Sequence, residues 1–269
     1  MSGGSLAPGN APPVEVTVDA FLGGKVEAVQ PAEGHHRSGL EAVLLATTLD
    51  RNTTGQLVDL GAGAGVAGFC AAARCQDIRV MLIERDPVLI ACANAALARR
   101  ANRSFSGRVT PIETDIFRER NPIADCDEVL VNPPFHREGT RSPSPARARA
   151  GAHVLAAEGL EGWIKAATAM LGPRGRMALI FSAEGLGEVL LAIGNRFGGL
   201  DLLPIHPRVA LPAHRIIVSG RKGSRAPLRV LPPLVLHGAK GNTFLPEVDS
   251  LLRGVTELDE VVSSWRNRR

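Results

Sequence analysis

Residues 58–65 read Val-Asp-Leu-Gly-Ala-Gly-Ala-Gly, an acidic residue followed by three alternating glycines. A short, mostly apolar run over 56–60 leads into the glycines, and an Ala-rich segment over 66–74 follows them. This pattern predicts a buried strand, a tight glycine turn and a helix whose N-terminus faces a ligand. The candidate binding residues of this segment are Asp59, Gly61, Ala62, Gly63 and Gly65.

Strand and helix patterns alternate on both sides of this segment. Further strands are predicted over 15–29 (a pair), 78–83, 108–112, 128–131, 175–181, 200–204, 215–220 and 228–236. Helices are predicted over 39–49, 66–74, 87–100, 160–171 and 184–197. Repeated β-α units of this length indicate an α/β fold with a mainly parallel, seven-stranded Rossmann-like sheet and helices on both faces. Such sheets bind ligands at the carboxyl ends of their strands.

Acidic residues stand at the next two predicted strand ends. Glu84 ends the second strand within Leu-Ile-Glu-Arg-Asp, and Asp115 follows the third within Thr-Asp-Ile. Residues 63–68 also spell G-x-G-x-x-G, with Glu84 near the spacing of a dinucleotide's ribose-binding acid. That match alone is weak, and we favour a cofactor held by all three strand ends together.

The fourth predicted strand ends in Asn132-Pro133-Pro134-Phe135. An amino group conjugated to a ring or carbonyl is a poor nucleophile, so its hydrogens must be held away from the incoming electrophile. The Asn132 side-chain oxygen and the Pro133 carbonyl are two acceptors in a fixed relation, because the proline pair stiffens the loop. Phe135 offers a flat apolar face on which a base can stack. These residues are the predicted catalytic loop, and no strong base is required.

Together these motifs resemble those of class I S-adenosylmethionine-dependent methyltransferases. The resemblance implies S-adenosylmethionine as cofactor, with Asp59 near its methionine part. It also implies a hydrogen bond from the ribose diol to Glu84, which adjoins Arg85, and recognition of the adenine by Asp115 and the Ile116 backbone. Asn132 would lie close to both substrates.

The sequence on either side of these motifs indicates which methyltransferase family the chain resembles. Residues 17–25 (TVDAFLGGK), 29–31 (VQP), 34–39 (GHHRSG) and 41–46 (EAVLLA) resemble the opening of the bacterial tRNA(Val) adenine-N6 methyltransferase family. The similarity extends over most of the chain after residue 15, and it adds Gln30 and Arg37 to the implied cofactor-binding residues. Two positions depart from the family pattern. His36 stands where the family usually has an aromatic residue, and Phe135 stands where the family often has a tyrosine.

Three other functions stay open at this point. The loop also resembles that of rRNA guanine-N2 methyltransferases, although those generally carry a duplicated domain and nothing here is duplicated. Glutamine-N5 protein methyltransferases share the motif but carry a helical N-terminal domain. A non-catalytic RNA-binding module on the same fold is the least favoured, because the glycines, Glu84, Asp115 and Asn132 are all present.

Charge is unevenly placed, although the net charge is only +4. Residues 202–246 contain no Asp or Glu, and a second basic run follows the catalytic loop. Such clustering predicts a polyanion partner, here RNA and most favourably tRNA, over the alternative of a solvated basic face. The candidate RNA-binding residues are Arg137, Arg141, Arg147, Arg149 and Arg215.

The amino-acid composition limits which classes of protein the chain can belong to. The 269 residues are 45% hydrophobic and 22% charged, as expected for a water-soluble globular protein. We expect a disordered lead over 1–14 that is not a signal peptide, an N-terminal strand and helix cap over 15–54, the methyltransferase domain over 55–269, and a cytoplasmic location. No metal-ligand spacing is present, and we expect buried free thiols at Cys70, Cys75, Cys92 and Cys126.

Overall fold

A computed structural model describes residues 4–6, 14–35, 37–118, 123–134 and 159–266. The chain begins with a three-stranded antiparallel sheet in the order β1-β2-β3. Its strands are β1 (Gly4–Leu6), β2 (Val14–Phe21) and β3 (Val26–Pro31), with a single 3-10 turn over Leu22–Gly24 between the last two. The strand pair predicted over 15–29 is therefore confirmed. The predicted disordered lead is wrong for residues 4–6, because they pair with Val14–Val16 of β2.

The second sheet has nine strands. Eight lie in the order β11-β9-β10-β8-β7-β4-β5-β6, and β12 pairs with β9. Their bounds are β4 (Gly55–Leu60), β5 (Ile78–Glu84), β6 (Val109–Glu113), β7 (Cys126–Val131), β8 (Leu171–Ser182), β9 (Phe197–His206), β10 (Arg215–Lys222), β11 (Arg229–Val230) and β12 (Leu234–Val235). Among the seven longer strands only β10 runs antiparallel to its neighbours. The predicted mainly parallel seven-stranded core is confirmed, with two short edge strands added.

Helices cover both faces of this sheet, as predicted. They are α1 (Leu40–Ala46), α2 (Val66–Arg74), α3 (Pro87–Leu97), α4 (159–170), α5 (Leu186–Ile193), α6 (Pro246–Leu252) and α7 (Leu258–Arg266). Side chains of β4 alternate between two cores: Leu57 faces the apolar cluster of α1, α2, α3, α6 and α7, whereas Val58 faces that of α4 and α5. None of the described helices is long and apolar enough to cross a membrane.

The N-terminal sheet shares the first of these cores. Val26 and Ala28 of β3 are fully buried in the same cluster as α2 and α3. The side chain of buried Asn102 accepts from Glu27 N at 2.9 Å and donates to Glu27 O at 2.7 Å, which joins β3 to the segment after α3. Residues 15–54 are thus packed onto the body of the fold by apolar contacts as well as hydrogen bonds.

The four cysteines are buried and free, as predicted. Burial raises the pKa of the Cys92 thiol to about 11 and that of Cys126 to about 12. Since the thiolate is the reactive and metal-binding form, such thiols are inert at neutral pH. Among the described residues no group of three or more His, Cys, Asp or Glu side chains could hold a metal ion.

Candidate functional site

Strand register brings the predicted motifs to one edge of the sheet. Leu60, the last residue of β4, pairs with Ile83 of β5 on one side and with Val131 of β7 on the other. The residues that follow these strands therefore start side by side, about 5 Å apart from strand to strand. The chain order of the strands also reverses at β4, which is where open α/β sheets bind ligands.

The glycine loop is tied to the end of β5. The N–H groups of Gly61 and Ala62 both donate to Ile83 O at 2.9 Å. Gly61 has φ +72° and Gly63 has φ +57°, a left-handed conformation that residues with a Cβ rarely adopt. Space around the two glycines differs. A Cβ on Gly61 would lie 2.5 Å from Cη2 of Trp163, whereas one on Gly63 would meet nothing nearer than Ser38 Oγ at 3.9 Å.

Gly61 therefore packs against an indole, and Gly63 leaves an open cradle over its backbone. Trp163 lies on α4 and is 5% exposed, and its ring also contacts Phe117 nearly at right angles, with centroids 5.4 Å apart. Trp163 and Phe117 were not among the predicted site residues. A tryptophan on an amphipathic helix gives no sequence signal beyond burial, and its partner Gly61 is distant in the chain.

Asp59 supports the loop from below. Its carboxylate is 2% exposed and accepts a hydrogen bond from Gly68 N at 2.7 Å, within the first turn of α2. A carboxylate at a helix N-terminus satisfies a free N–H and interacts favourably with the helix dipole. The side chain faces the inside of the fold. The carboxylate therefore supports the glycine loop from beneath, and its expected position near the methionine part of a cofactor stays a prediction.

Burial makes Asp59 a source of pH-dependent stability. Loss of solvation raises the pKa of its carboxyl from 3.8 to about 7, against the lowering effect of the Gly68 N–H, and the nearby charge of Glu84 raises it further. The folded state then binds the proton more tightly than the unfolded state. This contribution to stability is complete below about pH 4 and is lost as the pH rises through about 7.

Asp59→Asn should remove that dependence while keeping an acceptor for Gly68 N. We expect the free energy of unfolding of the wild-type chain, minus that of Asp59→Asn, to fall between about pH 4 and 7, by at most about 1.4 kcal/mol per pH unit. Urea unfolding of both chains at several pH values measures this difference. Asp77→Asn, at an exposed carboxyl, controls for the charge change, and a difference constant with pH would contradict the assignment.

Glu84 closes the other side of the loop. One carboxylate oxygen, Oε2, accepts from Gly63 N at 2.9 Å, and Oε1 accepts from Arg85 N at 2.8 Å and Asp86 N at 3.0 Å. A carboxylate has about four lone-pair sites, so one site on Oε2 stays free for a ligand hydroxyl. The expected pair of hydrogen bonds from a ribose diol to Glu84 stays a prediction, and one acceptor site on Oε2 is open to it.

Asp115 lies across a shallow depression from these groups. The depression holds about 410 Å³ and is lined by Arg85, Asp86, Pro87, Glu113, Thr114 and Asp115. Asp115 accepts from Phe117 N at 3.0 Å, and its other oxygen lies 3.6 Å from Arg85 Nη1. Ile116 packs partly buried against the α4–α5 core. Glu84, Arg85, Asp115 and Ile116 are therefore neighbours, as predicted from the strand ends.

Gln30 and Arg37 hold the segment that follows β3, described over 32–35 and 37–39, near the glycine loop. Gln30 is 1% exposed and bonds Ser38 through both ends of its amide, accepting from Ser38 N at 2.8 Å and donating to Ser38 O at 3.2 Å. Arg37 forms an ion pair with Asp19 and donates to Thr17 Oγ1 at 2.7 Å. Gln30 thus holds Ser38 near Gly63, and Arg37 ties the same segment to β2. Gln30 is buried, whereas the Arg37 side chain is partly exposed, and the predicted contact of both residues with a cofactor stays a prediction.

His35 anchors the same segment to α3. Its Nε2 lies 3.0 Å from Oδ2 of Asp86, the N-cap of α3 and a wall of the depression. The hydrogen bond to Asp86 raises the pKa of His35, and the same contact lowers the pKa of Asp86. The ion pair therefore ties the N-terminal part of the chain to the rim of the site.

The predicted catalytic loop begins beside Gly61. Asn132 and Pro134 are partly exposed and Pro133 is buried, directly after the fully buried end of β7. Phe135, Arg137, Arg141, Arg147 and Arg149 lie outside the described residues. The strand register places this loop, with two potential acceptors in the Asn132 amide and the Pro133 carbonyl, next to the glycine loop.

The acid-free segment over 202–246 does not form one basic surface. Arg215 lies 3.3 Å from Glu41, and Arg229 donates two hydrogen bonds to the Asp201 carboxylate. The other cations with partners donate to backbone carbonyls: Arg208, Arg221 and Lys222. Of the seven Lys and Arg residues in this segment, all of them described, Arg225 and Lys240 make no side-chain hydrogen bond or ion pair. Most of these cations therefore have partners within the protein. Arg215, a predicted RNA contact, is partly exposed beside Glu41, and its contact with RNA stays a prediction.

Comparison with known proteins gives a family and several relatives. The model of the methyltransferase small domain family matches residues 38–193. The tRNA1(Val) (adenine(37)-N6)-methyltransferase of Porphyromonas gingivalis is 31% identical over 163 residues, which are 58% of this chain and 62% of the relative. The chain thus spans about three fifths of that curated relative. Ribosomal RNA small subunit methyltransferase C of Pseudomonas fluorescens is 32% identical over 42% of this chain and 32% of its own.

A solved structure agrees with the sequence match. A protein of Agrobacterium tumefaciens described as a predicted O-methyltransferase superposes with a TM-score of 0.68 and is 32% identical. The superposition covers 81% of this chain and 98% of that one.

Proposed function

Because this chain belongs to the methyltransferase small domain family, we propose that it transfers a methyl group from S-adenosylmethionine to the N6 amino group of an adenine in tRNA. One observation carries the proposal. The loop that follows β7, Asn132-Pro133-Pro134, lies directly beside the glycine loop after β4. A motif that can hold an amino group is thus adjacent to the sheet edge that we propose binds the cofactor.

The described residues fit the cofactor. The open backbone over Gly63 lets a ligand approach closely, and Glu84 retains an acceptor site for a ribose hydroxyl. Asp115 borders the depression and would accept a hydrogen bond from an adenine amino group there. We assign Gly61, Gly63, Glu84, Arg85, Asp115 and Ile116 to direct contact with the cofactor. To Asp59, Gln30 and Arg37 we assign the support of the loop and of Ser38.

Asn132 and Pro133 would hold the acceptor. Two acceptors on one rigid turn can take both hydrogens of a planar amino group, which directs its nitrogen lone pair toward the glycine-loop side. Phe135, outside the described residues, remains the predicted stacking face for the base. S-Adenosylmethionine supplies an electrophilic methyl group on a positively charged sulfur. The substituted nitrogen then loses one proton to solvent, so positioning supplies most of the rate.

A second acceptor has some support. The similarity to ribosomal RNA small subunit methyltransferase C favours a guanine N2 amino group in rRNA as the alternative, because that group is also an exocyclic amine. The Porphyromonas relative matches a longer part of this chain, 58% against 42%, and we therefore favour adenine in tRNA.

Nucleoside analysis separates these acceptors. Purified chain, isotope-labelled S-adenosylmethionine and unmodified total RNA would be incubated, and the digested nucleosides examined by mass spectrometry. We expect labelled N6-methyladenosine in the tRNA fraction. Labelled N2-methylguanosine in rRNA would support the alternative, and label found only in protein would overturn the proposal.

Glu84→Ala should weaken cofactor binding by about 1.5–3 kcal/mol, the range for hydrogen bonds to a charged group. The variant loses a ribose acceptor and leaves Gly63 N without its partner in the loop. Calorimetric titration with S-adenosylmethionine measures the loss. Glu188→Ala, at an exposed carboxyl on α5, is the matched control, and equal affinities of the two variants would remove Glu84 from the cofactor site.

A further inference from the structure

Two loops form an exposed ridge at the same end of the sheet as Asn132. One joins β9 to β10 over 207–214, and the other follows β12 over 237–244. We call these two loops the outer ridge. β10 begins opposite Ser182, the last residue of β8, and β8 pairs with β7. The ridge therefore begins about 10 Å from β7, the strand that Asn132 follows.

Hydrogen bonds lock the two loops together. Arg208 of the first loop donates to the carbonyls of Gly238 and Gly241 in the second. The N–H of His237 donates to Pro207 O at 3.1 Å, and its ring stacks on Phe244 with centroids 4.8 Å apart. The ridge is therefore a preorganised surface that loses little conformational entropy when a partner binds.

The ridge exposes apolar and basic groups side by side. Val209 is 75% exposed and Leu211 is 47% exposed, although both stand on a loop braced by its neighbour. Lys240 is exposed and, in the described part of the chain, has no ion-pair or hydrogen-bond partner. No Asp or Glu occurs in either loop or anywhere else from 202 to 246. Rigid apolar side chains beside an uncompensated cation suit a partner with flat apolar groups on an anionic backbone.

We propose that the outer ridge is an RNA-docking surface, on which Val209 and Leu211 contact bases and Lys240 contacts a phosphate near the target adenine. This inference rests on the proposed function and extends it to a surface that the catalytic motifs do not include. An acidic protein could also be attracted to Lys240. The position of the outer ridge near the proposed catalytic loop favours RNA. A base that is bound at Asn132 brings its neighbouring nucleotides close to the ridge.

Two charge-matched double variants test the proposal. Val209→Asp with Lys240→Glu alters the ridge. Val230→Asp with Arg225→Glu is the control, because Val230 is 63% exposed, Arg225 lacks a recorded partner, and both lie in the same acid-free segment. Both control residues lie away from the ridge. Arg225 precedes Ala226, whose carbonyl accepts from Gly199 N near the start of β9, and Val230 pairs with Leu202 in the middle of that strand.

Filter binding of unmodified bulk tRNA at several salt concentrations is the readout. We expect the ridge variant to bind about 10-fold more weakly or worse, with the salt slope reduced by about one unit, and the control variant to bind as the wild-type chain does. Both should keep wild-type S-adenosylmethionine affinity by calorimetry and wild-type thermal unfolding.

The outcomes separate the surface from the function. Equal tRNA affinity of the two variants, whether both unchanged or both weakened, would overturn the proposal that RNA docks on the outer ridge. The proposed function would still stand if the wild-type chain methylates RNA. A wild-type chain that binds the cofactor but neither binds nor methylates RNA would overturn both proposals.

Discussion

Asn132→Ala is expected to lower the turnover of the methyl-transfer reaction by at least about 100-fold, with cofactor affinity and thermal stability unchanged. Losing one preorganised polar contact at the transition state costs about two to three orders of magnitude. Asn132 is partly exposed and follows the buried end of β7, so the shortened side chain leaves the core intact.

Single-turnover kinetics with saturating cofactor and tRNA would measure this change. Asn94→Ala is the matched control, because Asn94 is exposed on α3 and bonds within its own helix, to Ile90 O at 3.0 Å. Near-normal turnover of Asn132→Ala would remove the residue from the catalytic loop.

Gly61→Ala is expected to destabilise the fold by about 3 kcal/mol. The new Cβ would lie 2.5 Å from the Trp163 ring, and the residue would keep φ +72°. Overpacking costs about 1–3 kcal/mol, and a left-handed residue with a Cβ costs about 1–2 kcal/mol. Urea unfolding gives the total, and Trp163→Phe, which lacks the clashing ring carbons, should recover more than about 1 kcal/mol in a double-mutant cycle.

Gly63→Ala separates strain from the clash. It stands in the same loop with φ +57°, but its Cβ would meet nothing nearer than 3.9 Å. We expect a stability loss of about 1 kcal/mol together with weaker cofactor binding, because the methyl group fills the cradle. Equal destabilisation by the two alanine variants would show that Trp163 does not constrain Gly61.

Local signals sufficed to predict the parallel core. The glycines of the loop and the acids Glu84 and Asp115 each follow an apolar strand, and parallel strands end at one edge, so their proximity follows from topology. The same signals do not report contacts made across long sequence distances. Trp163 over Gly61, Asn102 on β3 and Glu41 against Arg215 arise only when the chain is packed.

Ends and edges were predicted less well than the core. The pairing of β1 with β2 depends on a distant partner for residues 4–6, whose composition is that of a loop. Helices α6 and α7 were not predicted, although Pro246 at the first turn and Leu251 facing the core are ordinary helix signals. The sequence could not show how the basic segment is arranged, since charge counted along a chain does not show which cations have carbonyl or carboxylate partners.

Strand β4 lies in the middle of the large sheet although it comes first among its strands in the chain. Because β4, β5 and β6 are consecutive in the chain and adjacent in the sheet, the residues assigned to the methyl donor come almost entirely from the continuous run over 55–118. Those assigned to the acceptor come from Asn132 onward. The two specificities are therefore separable by segment. Within such an architecture, divergence or engineering can exchange the acceptor half for a new substrate while the donor half keeps its sequence.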